Sequence, residues 1–168
     1  LPTQATHRNH VWTWDFIFDR TDKGSTLKML TMLDEYTRQC LAIRVERQIR
    51  SGQVLATLWQ AMMTYGIPEH IRSDNGSEFI AQKIQEWLKE SQIKTLYIDP
   101  GSPWQNGYIE GFHSRFRDEC LNREWLMNLR EARVVIEDWR QYYNIERPHS
   151  RLGYLSPEGF IANQNVSL

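Results

Sequence analysis

Cysteine is scarce in this chain, charge of either sign is not in excess, and long apolar runs are missing. There are two cysteines, Cys40 and Cys120. Two cannot build the multi-bridge framework of a small secreted domain, so a reducing, cytoplasmic setting is expected. No stretch approaches the roughly 18 apolar residues of a transmembrane helix, so no membrane partner is expected. The opening LPTQATHRNH lacks an apolar signal-peptide core. It also lacks an initiator Met, and the expectation is a piece of a longer protein. A basic excess is absent too: 20 Lys and Arg against 21 Asp and Glu leave a net charge of −1. That argues against a wholly basic nucleic-acid binder. It leaves room for an acidic site whose bound cations invert the local field. Zinc is not expected, because His7 and His10 have no nearby Cys pair and their spacing fits no zinc pattern. Repeats and low-complexity segments are absent.

What is present is core material. The 168 residues are 40% apolar and 12% aromatic, with seven Trp. A chain this long can bury about two-thirds of its unfolded surface, and a single domain over 1–168 is expected.

Periodicity supplies the elements. VWTWDFIFD (11–19), TLKMLTMLD (26–34) and QCLAIRVE (39–46) are β-branched or aromatic with partial alternation and read as strands. Residues 51–66 read as a helix, with Ser51 as cap and Gly66 as stop. Residues 67–74 read as a short buried strand, 77–92 as a helix capped by Ser77, and 93–99 as a strand. PGSPWQNG (100–107) is turn material. Residues 105–122 form a helix with Ile109, Phe112, Phe116 and Cys120 inward. Residues 130–144 form a last helix with Val134, Val135, Trp139 and Tyr142 or Tyr143 inward. Three strands followed by strand–helix alternation indicate an α/β domain with a mixed sheet: antiparallel hairpins first, parallel crossovers later.

Three acids stand out against this order. Asp15 lies inside the aromatic first strand, where an unpartnered charge is costly. Asp74 ends a strand in the segment RSDNGSEF, and ligands gather at the carboxyl ends of parallel strands. Glu110 lies near the start of a helix and shares a face with Asn106, His113, Ser114 and Arg117. Carboxylates drawn together repel until a cation neutralises them, and oxygen ligands suit hard divalent ions. Taken singly, each has an ordinary reading: a hydrogen-bonded structural acid, a turn with a helix cap, a solvated helix residue. Their joint spacing is the signal. Asp19, on the same strand face as Asp15, is a rival for the first position.

These blocks resemble the Asp-Asp-Glu transposase and retroviral integrase superfamily. WTWDFIFD is similar to its first-Asp strand, SDNGSEF to its second-Asp motif, and SPWQNGYIEGFHSRFRDE to its Glu helix. The 35 residues between Asp74 and Glu110 match the spacing of this group. The tail WRQYYNIERPHSRLGYLSPEGF (139–160) resembles the end of bacterial insertion-sequence transposases. The resemblance implies a ribonuclease H-like fold with a mixed five-stranded sheet flanked by helices. It implies Asp15, Asp74 and Glu110 as catalytic metal ligands for Mg²⁺ or Mn²⁺, two ions. Asn75 and Gly76 would shape the turn that presents Asp74, and Asn106 and Gly107 would open the loop onto the Glu helix. Asn106, His113 and Arg117 would face DNA; Arg117 stands where the family often has Lys, exchanging a point charge for a planar fork. The partners implied are transposon ends and target DNA, and a homodimer or higher assembly. The reaction implied is metal-dependent phosphodiester cleavage and strand transfer.

Three rivals remain at this point. A nuclease on the same scaffold would cut without joining, and the tail argues against it. A binding module with a dead site is opposed by the intact acids. A two-carboxylate glycosidase could use the Trp residues as sugar platforms, but their helical or strand spacing suits core packing better.

Overall fold

The computed structural model describes residues 4–74, 76–99 and 101–166; Asn75 lies outside them. Its centre is a five-stranded sheet in the order β3-β2-β1-β4-β5. Strands β1 (Val11–Arg20), β2 (Thr26–Asp34) and β3 (Cys40–Glu46) form an antiparallel meander. β4 (His70–Ser73) and β5 (Lys94–Tyr97) add in parallel beside β1. The mixed sheet is thus as the strand–helix order implies.

Both faces of the sheet are covered, which explains why the strands alternate only partially. Trp12, Trp14, Leu30, Met32, Leu41 and Ile71 point to one side. There they pack on Val54, Leu58 and Ala61 of α1 (Ser51–Tyr65) and on Ile84 and Leu88 of α3 (Gln82–Glu90). Ile17, Leu27, Met29, Leu33 and Val45 point to the other side. They meet α4 (Gly107–Phe116) and α5 (Leu129–Ile145) through Ile109, Phe112, Phe116, Ile136, Trp139 and Tyr143. Phe112 and Tyr143 pack edge to face at 5.1 Å, and Trp139 sits 5.1 Å from Phe116. Cys40 and Cys120 are free and buried in this layer.

Several local expectations change. The helix expected over 77–92 is two helices, α2 (Ser77–Ile80) and α3, because Ala81 is extended at φ −51° and ψ 137°. Ser77 is the first residue of α2 and Gly76 holds the cap position. Ser51 is likewise inside α1; the cap is Arg50, whose N–H donates to Gln53 Oε1 at 2.8 Å. Gly66 does end α1, at φ 104°, where a Cβ would come within 2.7 Å of the Asn9 side chain. On α5 the inward residues are Ala132, Ile136, Trp139 and Tyr143, whereas Val134 is 58% exposed and Tyr142 43%. The buried set is fixed by Asn144 and Arg140, which reach back to the Cys40 backbone at 2.7–2.8 Å and set the helix's rotation.

The expected helix 105–122 starts as a 3₁₀ turn, Pro103–Asn106, runs through α4 and closes in a π turn, Arg117–Leu121. A further helix, α6 (Pro157–Val166), lies in the tail and was not legible from periodicity. It docks through Glu158, which accepts from Gln39 Nε2 at 2.7 Å, and Phe160, 5.6 Å from Tyr36.

Candidate active site

The register of β1 and β4 places the first two acids. Thr13 pairs with Arg72 in the parallel ladder. Asp15 lies two residues past Thr13 and Asp74 two past Arg72, so the two side chains leave the carboxyl end of β4 on the same side. Asp15 is half-buried, and burial is the main reason its carboxyl is pushed up to about 6. The N–H of Phe16, donating to Asp15 Oδ1 at 2.8 Å, opposes this, and the Asp74 charge adds to it. The Asn106 carboxamide also hydrogen-bonds Asp15, which lowers the value. Asn106 Oδ1 is itself buried without a partner among the described residues.

Asp74 is aimed by its own loop. Its Oδ1 accepts from the Gly76 N–H at 2.7 Å, an Asx turn. A Cβ at Gly76 would sit 2.9 Å from that oxygen, so a side chain there would displace the Asp74 carboxylate from this position. The following Glu78 is tied to Lys28 Nζ, which rests 4.2 Å over the Phe16 ring. Lys28 carried no signal in the sequence, being one cation in an apolar strand.

One face of the α4 region lies along β1. Asn106 meets Asp15. His113 Nε2 is 2.7 Å from Thr31 Oγ1, and Thr31 donates to the Asp15 carbonyl at 3.1 Å. Arg117 Nη2 donates to the Phe18 carbonyl at 3.1 Å. Glu110 projects from the same face between Asn106 and His113 and is exposed. Its carboxylate does not close on the aspartate pair to the 4.8 Å mutual distance of a three-ligand cluster. His113 is turned to the sheet; burial, helped by the Arg117 charge, holds its imidazole down to about 4 and therefore neutral.

Asp19 lies elsewhere. Its Oδ1 accepts from the Arg20 N–H at 2.8 Å, and its charge acts on Cys120. Of the two strand acids, Asp15 is the one beside Asp74.

A cavity of ≈ 580 Å³ opens on the opposite side of α4, lined by Arg38, Tyr108, Gly111, Arg115 and Arg151 among others. It includes neither aspartate. The arrangement of Asp15, Asp74 and Asn106 is an oxygen-rich site open to solvent on one side. Such a donor set suits a hard divalent cation.

Comparison with known proteins bears on the family and the fold. Two models of the integrase core domain match, one over residues 5–103 and the other over 91–157. The chain is 43% identical over 155 residues to the uncharacterized 39.2 kDa protein of insertion element IS476 of Xanthomonas euvesicatoria, covering 92% of this chain and 45% of that protein. It is 40% identical over 159 residues to the uncharacterized 31.7 kDa protein of insertion element IS407 of Burkholderia multivorans, covering 95% and 57%. The chain thus spans about half the length of these relatives. Among solved structures, the HTLV-2 integrase catalytic core domain in complex with magnesium superposes with a TM-score of 0.74 at 21% identity, covering 90% of this chain and 96% of that one. With a sheet of that fold and matches across nearly its whole length, the chain belongs to the integrase core domain family, among its insertion-element members.

Proposed function

We propose that residues 1–168 act as one catalytic core that cleaves DNA phosphodiesters at insertion-element ends and joins them to a target, using Mg²⁺ or Mn²⁺. The observation that supports this most directly is the Asp15–Asp74 pair at the carboxyl end of β4. Two carboxylates whose ionised forms oppose each other, next to a buried amide oxygen without a partner among the described residues, fit a cation. Asp15 and Asp74 would hold the metal, and Glu110, in the first turn of α4, would complete the ligand set on closing toward them. Bound there, the metal would supply Lewis acidity to phosphodiester cleavage and joining.

The chain's own residues do the positioning. The Asx turn at Gly76 fixes Asp74, and the Phe16 N–H fixes Asp15. Asn106 orients Asp15 from the helix side. Arg117, at the far end of the same face, offers a guanidinium to a phosphate. His113 braces α4 on Thr31. The DNA partners are the element's ends and its target in the bacterial cytoplasm. The acting form is a homodimer or higher assembly, as paired ends require.

The test is a strand-transfer assay with the full-length protein, its own element ends and Mn²⁺ or Mg²⁺. Joined product is expected from wild type and none from Asp74→Asn. Cleavage without joining would make the domain a nuclease. Equal product from Asp74→Asn would refute the site.

A further inference from the structure

A second cluster of metal-type ligands lies at the turn before β1, five residues ahead of Asp15 on one segment and five ahead of Asp74 on the other, at the entry end of β1 and β4 rather than their exit end. His7, Arg8, Asn9 and His10 form a β-turn closed by His10 N–H to the His7 carbonyl at 3.1 Å. Asn9 takes the left-handed position at φ 62°, which Asn tolerates better than most residues. A turn of this kind brings the side chains of its first and fourth residues together. The two imidazoles stack with centroids 4.3 Å apart.

The turn is held firmly. The Asn9 N–H donates to Asp34 Oδ2 at 2.8 Å and its Nδ2 to the Tyr65 carbonyl at 2.9 Å. Its Oδ1 accepts from Trp12 Nε1 at 3.0 Å. The neighbouring chain is pinned as well: the Glu69 N–H donates to the Asn9 carbonyl at 3.0 Å. Glu69 Oε2 thereby comes to 3.1 Å from His7 Nε2 and 3.7 Å from His10 Nε2. One ligand atom from each of the three residues lies within 4.8 Å of the others. Two imidazole nitrogens, one carboxylate oxygen and open solvent on the remaining side make the ligand count of a four-coordinate zinc site with one free position.

The surroundings match as well. Metal-bound histidines donate their other N–H to an acceptor that fixes tautomer and orientation. Thr6 Oγ1 lies 3.0 Å from His7 Nδ1 and 3.3 Å from His10 Nδ1, so one hydroxyl can accept from both rings. In the metal-free arrangement the Thr6 N–H donates to His10 Nδ1 at 3.0 Å, which leaves the His10 proton on Nε2. For Nε2 to take an ion the proton would move to Nδ1, the Thr6 N–H would turn away, and the Thr6 hydroxyl would become the acceptor.

We propose that His7, His10 and Glu69 bind a borderline divalent transition ion, zinc foremost, and that the ion clips the turn before β1 to the segment entering β4. Imidazole ligands select zinc and its transition-metal neighbours, while the all-oxygen site at Asp15 and Asp74 selects Mg²⁺ or Mn²⁺. The two sites are therefore separable by metal type.

The experiment is calorimetric titration of tag-free protein with Zn²⁺, in the presence of excess Mg²⁺, paired with melting curves. Wild type and Asp74→Asn should each bind one equivalent and melt higher with Zn²⁺. His7→Ala and Glu69→Gln should each weaken binding at least about tenfold and lose the melting shift. Both replaced side chains are more than half exposed, so both variants should melt like wild type without metal. Equal Zn²⁺ affinity in wild type and in both of these variants would overturn the site. So would loss of the Zn²⁺ heat on adding Mg²⁺, or no Zn²⁺ binding by wild type.

Discussion

Arg72 and Glu35 form a buried ion pair, Nε to Oε2 at 2.8 Å, with the carboxylate fully enclosed. It joins the end of the β1–β2 hairpin to β4, two residues before Asp74. Burial raises the Glu35 pKa despite the guanidinium beside it, so desolvation outweighs the pair's attraction there. Removing one partner leaves the other charged and enclosed, which typically costs about 3–5 kcal/mol. Arg72→Met should therefore destabilise strongly in urea unfolding. The double variant with Glu35→Leu should recover much of that loss. Additive losses would show that the pair is not what holds the two segments together.

Asp15 gives a pH signature. Its carboxyl is pushed up to about 6 from 3.8, by burial first. For an acid with a raised pKa, the ionised form weakens the fold. The penalty is absent below the unfolded value and is fully present above about 6. Asp15→Asn removes it. Without metal at pH 7.5 the variant should melt higher than wild type, by about 2–4 °C for each kcal/mol recovered. The gap should close by pH 4. His113 and His149, both held down to about 4 with burial as the main cause, act in the opposite direction, losing stability as pH falls from 6.5. They are common to both proteins and cancel in the difference. A variant that melts lower at pH 7.5 would mean that Asp15 is a structural acid.

Asp19 and Asp74 make a control pair for chemistry. Asp19 accepts from the Arg20 N–H and its charge acts on Cys120, whereas Asp15 interacts with Asp74. In the full-length protein, Asp19→Asn should cleave within a few-fold of wild type, whereas Asp74→Asn should be inactive. Comparable loss in both would reassign the first carboxylate.

Trp139 tests the α4–α5 layer. It packs between Phe116 and Tyr143 at 5.1 and 5.2 Å and is 8% exposed. Trp139→Ala should cost about 3–5 kcal/mol and lower activity only through unfolding. Its indole N–H is buried without a partner among the described residues. Trp139→Phe therefore sacrifices no hydrogen bond and should cost much less. A folded, inactive Trp139→Ala would give the ring a role beyond packing.

The sequence by itself determined the strand content and singled out the acids. β2 falls on the residues its alternation marks, Thr26–Asp34, because side-chain period and sheet pleat are local properties. The resemblance picked out Asp15 and Asp74, and Gly76 as part of the turn that presents Asp74. Other features needed the tertiary structure. The break at Ala81 and the rotation of α5 depend on partners distant in sequence, which periodicity does not carry. That Asp15 rather than Asp19 stands beside Asp74 in space follows from the parallel register of β1 on β4. The same holds for His7, His10 and Glu69: two histidines three apart match no zinc pattern, and the third ligand stands 62 residues from the first. A ligand set drawn from separate loops exists only once backbone hydrogen bonds have brought those loops together.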